Sequence, residues 1–132
     1  MDLLNPFLEI RTSTLPNSGN GLFTSVPIPK DLLITEHTGT ITSFKDADHS
    51  NNNPYIFYVT AKHVIDARNM LQLPARYAND ANGYTKIPGI RNNARYVVMN
   101  KRVFIVSNRR IHPGEEIFVA YGKEYWGNLV SL

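Results

Sequence analysis

The sequence predicts a mostly-β single domain with little helix, and three observations carry that prediction. Apolar and polar residues alternate in short runs, the period-two mark of half-buried strands. Eight glycines and eight prolines punctuate those runs, as turns between many short strands require. Only one stretch, around Pro74, could hold a helical turn. At 132 residues the chain suits one domain, residues 1–132 with a core about 7–126.

Taken in order, Phe7 to Ser13 (FLEIRTS) alternates and reads as a strand. Leu15 to Gly21 is a turn-rich loop, and Leu22 to Val26 is again a strand. Leu32 to Thr42 is rich in β-branched residues and extended, with Gly39 as a bulge or bend. Asn51-Asn52-Asn53-Pro54 marks a loop, and Tyr55 to Arg68 reads as a hairpin. Asn69 to Asp80 holds the one candidate helical turn, limited by Pro74. Ala81 to Asn93 is too long for a plain turn, and such loops are often functional. Ala94 to Ile111 reads as two strands round a tight Asn100-Lys101 turn. Ile117 to Ala120 is a short apolar strand that breaks at Tyr121-Gly122.

Composition narrows the function classes. An apolar fraction of 42% argues against disorder. No apolar run approaches the ~20 residues of a membrane helix, and the N-terminus lacks the basic-then-apolar pattern of a secretory signal. With no cysteine there is neither a disulfide framework nor a thiolate metal site, and an intracellular location fits best. The net charge is +3, and much of the excess falls at Arg91, Arg95, Lys101, Arg102, Arg109 and Arg110. Apolar residues interrupt these, so they read as solvent faces of strands, and direct nucleic-acid binding is not expected.

The familiar catalytic patterns are missing. His37, His49, His63 and His112 show no metal-ligand spacing, and no metal is expected. No nucleophile elbow or phosphate loop occurs. Glu115 and Glu116 are neighbours, so on a strand they face opposite sides and form no carboxylate pair. Gly19-Asn20-Gly21 permits a tight turn or a close approach to a ligand, and alone reads as a turn. Asn79 and Asn93 each read singly as turn chemistry. At the C-terminal end an apolar strand delivers the phenol of Tyr121, followed by Tyr125 and Trp126. With Tyr55 and Phe57 upstream, this aromatic set serves a core or lines a narrow channel suited to a lysine side chain.

The order of these motifs says more than any one of them. GNGLF, YIF, RYAND, NARY and RRIHPGEEIFVAYG, over Phe7 to Trp126, together resemble the SET-domain protein lysine methyltransferases. The length and the ending YGKEYW look most like small stand-alone SET proteins of large DNA viruses and some microbes, without cysteine-rich flanks. The resemblance implies a β-clip-like fold of several short sheets, closed by a C-terminal pseudoknot. It implies S-adenosylmethionine as cofactor and Tyr121 as the catalytic residue.

The implied cofactor-binding set is Gly19, Asn20, Gly21, Phe23, Arg76, Tyr77, Asn79, Asp80, Tyr121 and Trp126. The implied lysine channel is Tyr55, Phe57, Val119, Tyr121 and Tyr125. Asp80 departs from the family's usual histidine, which puts the ring packing at that point in doubt. Asn93 matches the family's second asparagine. Val119 stands where many relatives carry Phe or Tyr, which leaves room for a multiply methylated product. Trp126, or a second subunit of a homodimer, would cover the cofactor. The implied partner is a lysine-bearing protein or peptide, with a histone tail as the family's common case. Asp46, Asp48 and Glu124 could meet a basic peptide laid along a strand edge. The implied location is nucleus or cytoplasm, or a host cell for a viral or secreted form. Two rival readings remain: a catalytically degenerate SET fold that binds a lysine peptide without turnover, and a basic β-domain that binds nucleic acid.

Overall fold

The computed structural model describes residues 3–47, 55–82 and 87–121. Its strands are β1 (Leu8–Thr12), β2 (Asn20–Thr24), β3 (Leu33–His37), β4 (Thr40–Thr42), β5 (Ile56–Thr60), β6 (His63–Asp66), β7 (Ala94–Met99), β8 (Arg102–Ser107), β9 (Glu116–Ile117) and β10 (Val119–Ala120). Short 3-10 turns cover Asn5–Phe7 and Pro74–Tyr77, each with proline in its first turn, where the missing N–H costs nothing. The strands form three small sheets of order β1-β2-β9, β10-β7-β8-β3 and β4-β6-β5. This is the mostly-β architecture that the alternating pattern predicts.

Local chemistry explains the corners. The β7–β8 hairpin closes on Asn100 and Lys101, both with left-handed φ (52° and 63°). Two such residues make a turn whose twist matches that of the flanking strands. The extended run Leu32 to Thr42 divides into β3 and β4, which belong to different sheets, and Gly39 lies at the corner. A Cβ at Gly39 would sit 2.2 Å from the main-chain oxygen of Asp66, so only glycine lets the two backbones meet. The strand after the glycine loop starts at Asn20, two residues earlier than the hydrophobic run Leu22 to Val26 suggests. Its ladder with β1 runs back to Thr12↔Asn20, so main-chain pairing extends past the apolar stretch.

The core lies among β2, β3, β8, β9 and β10, where Leu22, Ile34, Ile105, Ile117 and Val119 are fully buried together with Ile28 and Ile111. Each such side chain contributes about 1.5–3 kcal/mol by burial.

The last described segment departs most from an ordinary strand. The apolar run Ile117 to Ala120 predicts one strand, but Phe118 breaks it. Before the break, β9 pairs antiparallel with β2, and after it β10 pairs parallel with β7. At the break the Phe118 carbonyl accepts from the backbone N–H of Asn93 and Ala94, while the Val119 N–H donates to the Asn79 carbonyl. The segment therefore runs between the two arms of the stretch from Asn79 to Ala94 and is bonded to each. This is the pseudoknot arrangement, an exception to the general avoidance of threaded connections.

Candidate active site

Glu116 locks the entry to the knot. It is 5% exposed, and its carboxylate meets hydroxyl and N–H donors rather than a cation. Oε2 accepts from the Ser13 hydroxyl at 2.7 Å and, at 3.5 Å, from Asn79 Nδ2. Oε1 accepts from the Thr14 backbone N–H at 2.8 Å and from its hydroxyl at 2.7 Å. A buried carboxylate held this way has its hydrogen-bonding capacity met, which offsets the loss of water. Gly21 makes the room, because a Cβ there would lie 2.2 Å from Glu116 Oε2. Glu115, one residue earlier, turns outward and accepts the His112 N–H at 2.8 Å, closing the turn before β9.

Asn93 holds the middle of the segment. It is 1% exposed, donates from Nδ2 to the Glu116 carbonyl and accepts the Phe118 N–H on Oδ1, each at 2.9 Å. That is the pairing of a strand made by a side-chain amide, which bridges the interruption at Phe118. Asn79 reaches across to the glycine loop, its Nδ2 donating to the Asn20 carbonyl at 3.1 Å.

Tyr121 follows directly. Its hydroxyl donates to the Ala78 carbonyl at 2.7 Å, and its backbone N–H donates to Asp80 Oδ2 at 3.0 Å. The phenol thus lies across the stretch Ala78 to Asp80, held at both its ring and main-chain ends.

Beside it opens a cleft of about 410 Å³ lined by Ser18, Gly19, Asn20, Tyr55, Arg76, Tyr77, Asn79 and Tyr121. Seven of these eight residues belong to the cofactor and channel sets named from the sequence. Arg76 supplies its charge. Its guanidinium lies 4.0 Å from the Tyr55 ring centre and 5.1 Å from that of Tyr77, and donates to the Ala67 and Arg68 carbonyls. Among the described residues it forms no ion pair with a carboxylate, and its Nε is buried without a hydrogen-bond partner.

Behind Tyr55 lies a histidine whose role the sequence did not signal. His37 is 3% exposed, and its Nε2 meets the Tyr55 carbonyl at 3.1 Å. A carbonyl can only accept, so Nε2 carries the hydrogen. Burial pushes the imidazole pKa down to about 4, against the smaller opposing effects of the Tyr55 carbonyl and the Asp66 charge.

The remaining site residues fall elsewhere. Phe57 packs edge-on against Tyr96 at 4.9 Å and lies 6.4 Å from His37, and is not among the lining residues of the cleft. Val119 is fully buried in the core beneath Tyr121. Phe23 lines a separate cavity of about 280 Å³ with Thr14, Asn93 and Phe118, and the Arg11 guanidinium lies 4.2 Å above its ring. Gly21 faces Glu116, and Asp80 is 8% exposed with its carboxylate turned to Tyr121. Tyr125 and Trp126 lie outside the described residues, as do Asp48 and Glu124. Ser13 and Thr14 were missed altogether. They meet Glu116 across more than a hundred residues, a distance at which no local spacing pattern signals contact.

Known proteins resemble this chain in sequence and in fold. The family model for the SET domain matches residues 19–122. The chain is 30% identical over 112 residues to human histone-lysine N-methyltransferase 2D, covering 78% of this chain and 2% of that protein. It is 32% identical over 116 residues to maize histone-lysine N-methyltransferase EZ1, covering 81% of this chain and 12% of that protein. It therefore spans only a small part of these relatives. Among solved structures, the methyltransferase domain of human PR domain-containing protein 2 superposes with a TM-score of 0.65 at 22% identity, covering 86% of this chain and 76% of that one. The match runs from the glycine loop through the knot to the residue after Tyr121, and the chain belongs to the SET-domain family.

Proposed function

We propose that the protein is an S-adenosylmethionine-dependent protein-lysine N-methyltransferase, with Tyr121 as its catalytic residue. The observation that carries this reading is the single cleft that gathers Gly19, Asn20, Tyr55, Arg76, Tyr77 and Asn79 round the Tyr121 phenol. The residues fit the cofactor. Arg76 offers a positive charge to its carboxylate, the Asn20 and Asn79 stretches offer main-chain and amide groups to its amino end, and the tyrosine rings offer flat apolar faces. When bound, S-adenosylmethionine supplies an electrophilic methyl group on a positively charged sulfur.

The chain's own residues prepare the acceptor. A free lysine has a pKa of about 10.4 and is almost wholly charged at neutral pH. The rings of Tyr55, Tyr77 and Tyr121 disfavour the ammonium by desolvation. That favours the neutral amine, which is the nucleophile. The Tyr121 hydroxyl already directs its proton at the Ala78 carbonyl. What its oxygen offers to a further group is therefore a lone pair, suited to orienting an amine rather than to taking part as an acid. Holding the amine at attack distance supplies much of the rate gain.

The substrate class on this reading is a lysine-bearing protein, with a histone tail as first candidate, inside the nucleus or cytoplasm. The names of the relatives support that choice. The test is incubation with methyl-labelled cofactor and core histones or a mixed lysate. Wild type should label lysine, and Tyr121→Phe should lose most of the label while keeping cofactor binding. A wild-type protein that binds no cofactor by calorimetry and labels nothing overturns the proposal.

A further inference from the structure

The buried carboxylate of Asp80 is an acceptor for N–H groups from two directions. Oδ2 takes the Tyr121 backbone N–H at 3.0 Å. Oδ1 takes the Asn82 backbone N–H at 2.8 Å and the Asn92 Nδ2 at 2.9 Å. Asn92 in turn accepts the Ala81 N–H on its own Oδ1 at 2.8 Å. Asp80 and Asn92 therefore clip together the two ends of the loop between them, and the same carboxylate reaches Tyr121. Asp80 lines neither the cleft beside Tyr121 nor the cavity beside Phe23.

We infer that Asp80 is a positioning residue that ties the two ends of the 81–92 loop to Tyr121, rather than a group that holds cofactor. The chemistry is specific to a carboxylate. The Asn82, Asn92 and Tyr121 groups that meet it are donors, and a side chain that accepts at both ends satisfies them. An asparagine must turn its amide nitrogen towards one side. Facing Asn82 and Asn92 with its oxygen, it releases Tyr121. Facing Tyr121 with its oxygen, it opposes both Asn82 and Asn92, so the first orientation is preferred and the Tyr121 N–H loses its acceptor. Tyr121 is the last described residue of the knot, and a main-chain shift there moves the phenol.

The charge-conserving exchange D80N/N92D separates this role from plain stability. The amide introduced at position 80 then donates to the carboxylate introduced at position 92. That carboxylate accepts the Ala81 N–H as before. The side-chain oxygen at position 80 returns to Tyr121, leaving the Asn82 N–H without its acceptor. Two readouts apply. The first is amide hydrogen exchange, which does not depend on activity. The Tyr121 amide should be protected in wild type, exposed in Asp80→Asn and protected again in the double variant, while the Asn82 amide should be protected in wild type and in Asp80→Asn and exposed only in the double variant. The second rests on the methyltransferase reading above. Asp80→Asn should lower kcat on the order of 10- to 100-fold with cofactor affinity within about twofold, and the double variant should recover most of kcat. An unprotected Tyr121 amide in folded wild type overturns the inference whatever the activity. So does a loss of cofactor affinity without a fall in kcat, or a double variant no better than Asp80→Asn. If wild type transfers no methyl group but the exchange pattern holds, the function fails and the link stands.

Discussion

The two ends of the segment from Glu116 to Tyr121 are built for opposite purposes. At the Glu116 end a buried carboxylate, a side-chain amide and a required glycine are held together by direct hydrogen bonds and close contact. At the Tyr121 end the same chain borders an open cleft walled by tyrosines and one arginine without a carboxylate partner among the described residues. Only a handful of residues separate the two. The closed end fixes where the chain must be, so that the open end can present a phenol without further support from a core of its own. A site on a rigid element is more precise than one on a free loop.

Breaking the closed end should cost the most. Glu116→Ala strands the Ser13 and Thr14 donors and leaves a cavity, a loss of about 3–5 kcal/mol, read as a lower midpoint in denaturant. Gly21→Ala drives a methyl group onto the same carboxylate and should approach that figure. A Gly21→Ala protein as stable as wild type would mean that the carboxylate can move aside, and the two ends would then differ less in rigidity than their hydrogen bonds imply.

Next comes the support behind the cleft. His37 is neutral in the fold, with a pKa of about 4 against 6.5 for the free ring. Between those values the unfolded chain binds a proton that the folded one refuses. Stability from this residue is therefore complete above about pH 6.5 and falls as the pH drops towards 4, by on the order of 3 kcal/mol. Comparing wild type with His37→Phe at about pH 7.5 and about pH 4.5 isolates this share, because the other titrating groups are common to both. Equal pH slopes would remove His37 from the account.

Asn93→Ala should cost about 2 kcal/mol, since it removes two hydrogen bonds to the backbone around Phe118. Asn93→Asp tests polarity, because it sets an oxygen against the Glu116 carbonyl and should be the worse of the two. The smallest effect on stability belongs to Tyr121→Phe, about 1 kcal/mol for the bond to Ala78. A large stability loss there, with activity retained, would invert the assignment of closed and open ends.

Much of this was legible in the sequence wherever the information is local. Alternation placed the strands, Asn100-Lys101 read as a hairpin turn, and Pro74 marked one helical turn, while the 3-10 turn at Asn5–Phe7 went unread. The resemblance of ordered motifs to the SET domain named seven of the eight residues that line the cleft. It also pointed to the knot, which no periodicity could have shown. The readings that changed are those that depend on contacts far along the chain. Glu116 read only as part of the strand that feeds the knot, and its partners at Ser13 and Thr14 had no signal at all. Val119 and Phe57 carry the right residue types for a channel wall, yet the kink at Phe118 turns Val119 into the core, and Phe57 packs with Tyr96.

The chain therefore carries in its order of residues the strand pattern, the turns, the charge balance and the family. Which of two adjacent glutamates is buried, which asparagine bonds backbone and which carboxylate holds Tyr121 depend on where a threaded segment comes to rest. Side-chain identity limits what a residue can donate or accept. The partner it meets is set by the fold, because hydrogen bonds act over about 3 Å while the residues that make them lie scores of positions apart.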